Sequence, residues 1–195
     1  MTRSIAVTFD YRCPFAYNGN LATIGAVRGG ADLDVRYVAF SLDQVHVAEG
    51  EAPVWDRDPA AWGSGVRALL FGIAVRDHFP EQFLDAHLEL FAARHVHGLQ
   101  LADPAVLRDA VARAGLDPDE VERRAGLPET LATLAREHTE MVQGYEVFGV
   151  PTFIEGDEAV FIRFMDRGNV DDVLRALDLL QWSDLNEFKR TRIPR

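Results

Sequence analysis

At 195 residues the chain has room for one domain, or for one domain carrying an insertion. A hydrophobic share of 48% with 26% charged residues is ordinary for a globular protein, and a net charge of −11 argues against broad electrostatic binding to nucleic acid or an anionic membrane. The one cysteine, Cys13, excludes a disulfide within the chain and points to a reducing compartment. The apolar stretch after Met1-Thr2-Arg3-Ser4 is too short for a secretory leader and no run approaches a membrane span, so the expected location is cytoplasmic.

The first element expected is a buried strand from Ser4 to Phe9, in which Ile5, Val7 and Phe9 alternate with small Ala6 and Thr8. A helix follows from Pro14 to about Val27, carried by Phe15, Leu21, Ile24 and Ala26 and ended by Gly29-Gly30. Proline suits the first helical position because the N–H it lacks would have no intrahelical partner there. Leu33 to Ser41 reads as a second strand, with Val35, Tyr37 and Ala39 alternating against Arg36, Val38 and Phe40.

From about Pro59 to Tyr145 there are only helical stripes separated by turn signals. Leu84, Leu88, Phe91 and His95 recur at three or four residues and are closed by Gly98. Asp103-Pro104 and Asp117-Pro118 mark helix starts, and Glu120 stands at the capping-box spacing from Asp117. Pro128 to about Val142 is a further amphipathic helix, carrying Leu131, Leu134, His138 and Met141. Strand signals return at 151–154, turn through Glu155-Gly156-Asp157-Glu158 and continue through 159–162. Asn169 caps a last helix to about Leu180, with Val173, Leu174, Leu177 and Leu180 inward, and the tail from Asn186 to Arg195 is polar and basic. Residues 1–45 and 146–195 thus read as one discontinuous domain, and 46–145 as an all-helical insertion.

Cys13 lies between the first strand and the first helix, in Asp10-Tyr11-Arg12-Cys13-Pro14-Phe15-Ala16-Tyr17. A thiol there faces N–H groups without intrahelical partners and the positive end of the helix dipole, and both favour the reactive thiolate. Arg12 adds a nearby cation. The competing reading of a free cysteine is a small buried hydrophobe. A second cysteine three residues on would complete a C-x-x-C redox pair, but that position is Ala16.

The order of elements, with Cys13-Pro14 opening the first helix and Gly149-Val150-Pro151-Thr152 opening the third strand, resembles the DsbA-like branch of the thioredoxin superfamily over essentially the whole chain. Asp10-x-x-Cys13-Pro14-x-x-Tyr17 resembles the D-x-x-C-P-W-C-Y stretch of bacterial members. The fold this implies is α/β, a thioredoxin-like fold with an inserted all-helical domain. The resemblance also implies a cis Val150–Pro151 bond and a site built from Cys13, Pro14, Phe15, Tyr17, Val150 and Pro151. The backbone before the proline, at an exposed strand edge, would contact an extended thiol peptide or cofactor.

Three shorter pieces are similar to actinobacterial cytoplasmic members that use mycothiol as reductant. They are Trp62-Gly63 with Val66-Arg67, His138-x-x-Met141 followed by Glu146, and the tail Glu187-Phe188-Lys189-Arg190-Thr191-Arg192. The departure is Ala16, where redox-active relatives carry the resolving cysteine. Kappa-class glutathione transferases and 2-hydroxychromene-2-carboxylate isomerases share the architecture with a one-hydroxyl site, which the single cysteine also resembles.

His95 and His97 form an H-x-H pair, about 200° apart on a helix and without a third ligand nearby, so no metal is expected. Either one is a candidate to face the active-site groove on the substrate side. His138 matches a family histidine, yet its apolar stripe favours a structural role. Tyr11, Phe15, Tyr17, Trp55, Trp62 and Phe148 are candidates to line an apolar cleft between the two parts, with Phe15 foremost. Asp10 reads as a cap or, less ordinarily, a buried proton relay.

The activity these readings favour is thiol-dependent oxidoreduction. Cys13 would be the catalytic nucleophile, acting on a small-molecule or disulfide substrate, with an external low-molecular-weight thiol, mycothiol or glutathione, as co-substrate. One alternative is a non-redox transferase or isomerase of the kappa type, in which Cys13 positions the thiol cofactor. Another is a non-enzymatic binding protein with a degenerate redox site. Nucleic-acid and membrane partners are not expected, and the aromatic content of the insertion leaves room for a homodimer.

Overall fold

In the computed structural model, which describes residues 2–187 and 191, strand β1 (Arg3–Phe9) runs inside a four-stranded sheet. Its Ile5, Val7 and Phe9 are at most 4% exposed, as the alternation requires. β2 (Leu33–Ala39) lies parallel to it, in register from Arg3 opposite Leu33 to Phe9 opposite Ala39. On its other side β3 (Thr152–Glu155) runs antiparallel, with Val7 opposite Phe153, and β4 (Glu158–Phe161) closes the sheet antiparallel to β3. The order β2-β1-β3-β4 therefore joins the two ends of the chain at β1. The β3–β4 hairpin turns at Gly156, whose φ of 61° glycine adopts without a Cβ penalty.

Helix α1 (Pro14–Arg28) connects β1 to β2 and ends at Gly29. Between β2 and β3 every regular element among the described residues is helical. A short α2 (Leu42–Val45) and two 3-10 turns (Val54–Asp56, Pro59–Ala61) lead into α3 (Ser64–His78), α4 (Phe83–His95), α5 (Pro104–Arg113), α6 (Pro118–Ala125) and α7 (Pro128–Tyr145). α8 (Val170–Leu179) follows β4, is capped by Asn169 and packs on α1. This is the thioredoxin-like fold with an all-helical insertion. Among the described residues no helix is long and apolar enough to cross a membrane.

Some local expectations need correction. α3 is apolar nearly all round, with Ala68 to Val75 buried without a break; such helices lie inside a protein. In α4 the buried face is Phe83, Ala86, His87, Leu90, Phe91 and Ala93, whereas Leu84 and Leu88 are only half-buried. Alanine and histidine carry much of that face and contribute little to a hydrophobic count. Asp117 caps α6 through the Asp119 N–H at 3.0 Å, but Glu120 closes no capping box, because its carboxylate is held by Arg123 and Arg124. Leu174 faces outward at 38% exposure. The tail motif around Phe188 to Arg192 lies largely outside the described residues.

Candidate active site

Cys13 takes an extended backbone (φ −90°, ψ 118°) and is the N-cap of α1, with Pro14 at the first helical position. Its Sγ accepts from the Ala16 N–H at 3.4 Å, and its own N–H donates to the Asp10 carbonyl at 3.0 Å, fixing the bend between β1 and α1. Across from it, Sγ lies 3.4 Å from the Val150 carbonyl oxygen, and the Val150–Pro151 peptide bond is cis. Gly19 permits the close approach of α1 to this segment, since a Cβ there would stand 2.9 Å from Pro151 Cγ. The sulfur thus sits between the first turn of α1 and the residue that leads into β3.

The electrostatics differ from the sequence expectation. Burial pushes the Cys13 thiol up from its ordinary value; the Ala16 and Phe15 N–H groups and Arg163 pull it down, Asp10 adds to the rise, and burial prevails. The helix terminus therefore does not by itself make a ready thiolate. Arg12 brings no relief, because its guanidinium is engaged by Asp43 at 2.7 Å and by Asp10 at 3.7 Å. Asp10 is fully buried and caps two backbone N–H groups, those of Arg12 (2.8 Å) and Leu42 (2.9 Å). Burial raises its pKa against the pull of Arg12 and those donors. Its oxygens are occupied by the turn, so its role is capping.

The remaining candidates separate clearly. Pro14 is exposed and Phe15 half-buried, with the Arg163 guanidinium 5.4 Å from the Phe15 ring centre. Tyr17 is buried, stacked between Phe91 (5.3 Å) and His95 (5.7 Å), with the Arg167 guanidinium 4.7 Å from its ring centre. His95 Nε2–H donates to the Tyr11 carbonyl at 2.9 Å, and burial lowers its pKa. His97 is exposed and its side chain has no partner among the described residues. Val150 is buried at 2% exposure and lies just before β3, with its carbonyl facing Cys13.

The aromatic residues do not converge on one cleft. Tyr11 is core, Trp55 packs on His138 (5.6 Å), Trp62 buries an Nε1–H without a partner among the described residues, and Phe148 is 68% exposed against Phe161. Cavities of about 610 and 360 Å³ lie elsewhere, with none of these residues in their walls. His138 is structural, as its stripe implied. Its Nδ1 accepts from the Ser41 N–H at 3.2 Å, and burial lowers its pKa to about 4.

Sequence reasoning missed Arg163, Arg167 and Asn18. The Asn18 amide donates to the Phe164 carbonyl at 2.9 Å and its oxygen accepts from Arg167 Nε at 3.2 Å, docking the loop after β4 beside the first turns of α1. No local pattern announces a contact between segments so far apart in the chain. Among the described residues no group of three or more His, Cys, Asp or Glu side chains is placed to hold a metal ion.

With the geometry in place, comparison with known proteins gives a consistent picture. Residues 64–178 match the family model described as DSBA-like thioredoxin domain. An uncharacterized protein of Mycobacterium tuberculosis, Rv2286c, is 27% identical over 151 residues, covering 76% of this chain. The match covers 63% of that relative, so the chain spans less than two thirds of its length. A thioredoxin-like oxidoreductase from Silicibacter pomeroyi superposes with a TM-score of 0.61 at 17% identity, covering 90% of this chain and 86% of the other. For Pseudomonas aeruginosa DsbA the figures are 0.59, 19%, 93% and 84%. For reduced DsbA1 of Neisseria meningitidis they are 0.58, 18%, 93% and 86%. At these identities the likeness is one of fold.

Proposed function

Because this chain belongs to the DSBA-like thioredoxin domain family, we propose that it is a single-cysteine thiol oxidoreductase working with an external low-molecular-weight thiol. One observation carries the reading. The Cys13 sulfur caps α1 and faces the carbonyl before cis Pro151, while Ala16 stands where a second thiol would complete a C-x-x-C pair.

In the proposed cycle the Cys13 thiolate attacks one sulfur of a disulfide substrate. A mixed disulfide forms, and the other half leaves as a thiolate and takes up a proton. The protein has no second thiol to expel the bound half. The thiolate of mycothiol or glutathione therefore attacks the substrate sulfur, a new mixed disulfide departs, and Cys13 leaves as the thiolate. Phe15, Tyr17 and His95 lie on the substrate side, and the backbone at Val150 orients the bound thiol. The location proposed is the cytoplasm, where such thiols are kept reduced. Intact-mass measurement after incubation with oxidised glutathione and with mycothiol disulfide tests the reading. One thiol adduct is expected on the native chain and none on Cys13→Ser; no adduct with either disulfide would sink it.

A second reading is favoured by the upward shift of the Cys13 thiol and by its contact with the Val150 carbonyl. A neutral S–H can donate to the sulfur of a bound thiol cofactor without bonding to it, as in a transferase or isomerase of the kappa type. Under that reading Cys13→Ser retains activity, because a hydroxyl supplies the same donor. Under the first reading it loses all turnover.

A further inference from the structure

β2 is an edge strand and forms the floor of the cavity of about 610 Å³. Along a strand successive residues direct their N–H and C=O to opposite sides. Phe40 N–H donates to the Phe9 carbonyl and Ala39 N–H to Glu137, so Leu33, Val35, Tyr37 and Ala39 point theirs away from β1. Two of these groups are engaged at the ends of the floor: Leu33 N–H donates to the Ala31 carbonyl at 2.8 Å, and the Tyr37 carbonyl accepts from Arg76 at 2.9 Å. Between them the Leu33 C=O, both groups of Val35 and the Tyr37 N–H have no partner among the described residues. Along the chain, the open edge is acceptor, donor, acceptor, donor.

This order selects a parallel neighbour. Paired antiparallel residues exchange both bonds, so an antiparallel strand running past Val35 would call on Leu33 N–H or Tyr37 C=O. In a parallel pair each such residue bonds instead to the two that flank its opposite number. A guest residue beside Val35 then has a predecessor that donates to Leu33 C=O and accepts from Val35 N–H. Its successor donates to Val35 C=O and accepts from Tyr37 N–H. Those bonds use every open group and neither engaged one. The next bond at either end would fall on a group already held by Ala31 or Arg76, which limits the paired stretch to these three residues. We propose that the cleft binds an extended segment of a partner protein, parallel to β2 over three residues in the order basic, apolar, acidic.

The side chains around the cleft set that order. The Tyr37 ring lies 5.4 Å from Phe83, so Leu33, Val35 and Tyr37 face α4, and the middle guest residue beside Val35 meets Phe83, Leu84 and Val27. An apolar side chain fits there. Asp34 and Arg36 face the other way, toward α7, where Arg36 stands 3.5 Å and Arg136 3.6 Å from the same Glu140. Two guanidinium groups thus share one carboxylate beside the third guest position, which favours an acidic residue. The first position lies opposite Asp34, whose contact with Ser4 is long at 3.4 Å, and this favours a basic one. The volume is that of a site for a small ligand. Val35 pairs with Ile5, four residues before the Phe9–Ala39 pair. The cleft is thus roughly 13 Å along the sheet from the Cys13 end, and a docked segment leaves that end open.

Titration of the full chain with the capped tripeptide acetyl-lysyl-valyl-glutamyl amide, followed by amide NMR, tests this. Circular dichroism and Cys13 alkylation rates report that each variant is intact. Saturable shifts are expected at the Val35 and Tyr37 amides. Methylating the glutamyl nitrogen removes the donor to Val35 C=O and should weaken binding about fivefold. The reversed peptide, glutamyl-valyl-lysine with the same caps, should bind the native chain less well and the Asp34→Arg, Arg36→Asp double variant better. Val35→Pro should lose binding and keep the sheet, because the N–H it removes faces away from β1. An absence of saturable shifts at those two amides, a peptide preference unchanged in the double variant, or native affinity in Val35→Pro would each overturn the proposal.

Discussion

The Tyr11 hydroxyl donates to His87 Nδ1 at 2.8 Å in a place where both side chains are fully buried. The rest of the chain of bonds fixes the direction. His87 Nε2 lies 3.2 Å from Asn20 Oδ1, and the Asn20 amide nitrogen donates to the Ala16 carbonyl at 2.8 Å. An amide oxygen only accepts, so Nε2 carries the hydrogen and Nδ1 offers its lone pair to Tyr11. The end of β1, helix α4 and the first turns of α1 are thereby tied together behind Cys13. Gly72 leaves space for the hydroxyl, which a Cβ at that position would occupy. Tyr11→Phe removes the donor and leaves a buried acceptor unmet, at an expected cost of about 1–3 kcal/mol in urea unfolding. Unchanged stability would show that this bond contributes nothing.

Two buried histidines set the acid limb of stability. Burial lowers His87 to about 3 and His138 to about 4. Both are neutral in the folded chain at pH values where the unfolded chain begins to protonate. Their contribution is fully present above about pH 6.5 and is lost as pH falls toward those lower values. Asp10, raised by burial, has the opposite sign: its contribution is present below the ordinary carboxylate pKa and is lost as pH rises through its folded value. Denaturant midpoints should therefore drop between pH 6.5 and 4, with each histidine contributing up to about 1.4 kcal/mol per pH unit. His138→Asn keeps an acceptor for the Ser41 N–H and should make the slope shallower by one proton. An equal slope in the variant would remove His138 from the account.

The thioredoxin-like layout was legible because its signals are local. Ile5, Val7 and Phe9 announce β1, Pro14 and Gly29 bracket α1, and Gly156 marks the hairpin. The site was legible in part. Cys13 at a helix start can be read from neighbouring residues, but the net effect on its thiol depends on how deeply Val150 and its neighbours bury it. Arg12 looked like a cation for the sulfur because Asp43, its partner, lies about thirty residues away. His95 and His97 could not be separated by spacing, since α4 ends at His95 and only the contacts with Tyr11 and Tyr17 single it out.

The Arg12–Asp43 pair depends on a missing side chain. A Cβ at Gly65 would stand 2.7 Å from Arg12 Nε and 2.8 Å from Asp43 Oδ2. Gly65→Ala gains up to about 1 kcal/mol of helix propensity, but overpacking costs about 1–3 kcal/mol. Net destabilisation is expected, and the cost should shrink in an Asp43→Ala background, where the obstructing carboxylate is gone. Equal costs in both backgrounds would mean that the pair is not what the glycine protects.

The Cys13 thiol titrates above its ordinary value, so its alkylation by iodoacetamide should still be accelerating at pH 9. Arg163 is the one side-chain cation among the groups that pull it down. Arg163→Glu should move the rate profile to higher pH and slow alkylation at any fixed pH below its plateau. A plateau already reached at pH 7 would show that the helix terminus outweighs burial after all.

Ala16→Cys tests what the missing second thiol means. Ala16 N–H already donates to the Cys13 sulfur at 3.4 Å, and residues three apart on a helical turn fall within disulfide reach. Ala16 is fully buried whereas Cys13 is half-buried, so an external disulfide meets Cys13 first and the new thiol attacks from behind. In the native chain an adduct with oxidised glutathione should persist until an external thiol removes it. In Ala16→Cys the second sulfur should expel the glutathione, leaving a chain two hydrogens lighter than the sum of its residues and free of adduct. Intact-mass spectra taken over time separate the cases, with reduction by dithiothreitol restoring the full mass. An adduct equally persistent in the variant would mean that position 16 is not aligned with the Cys13 sulfur for displacement. The dependence on an external thiol would then need a cause other than Ala16.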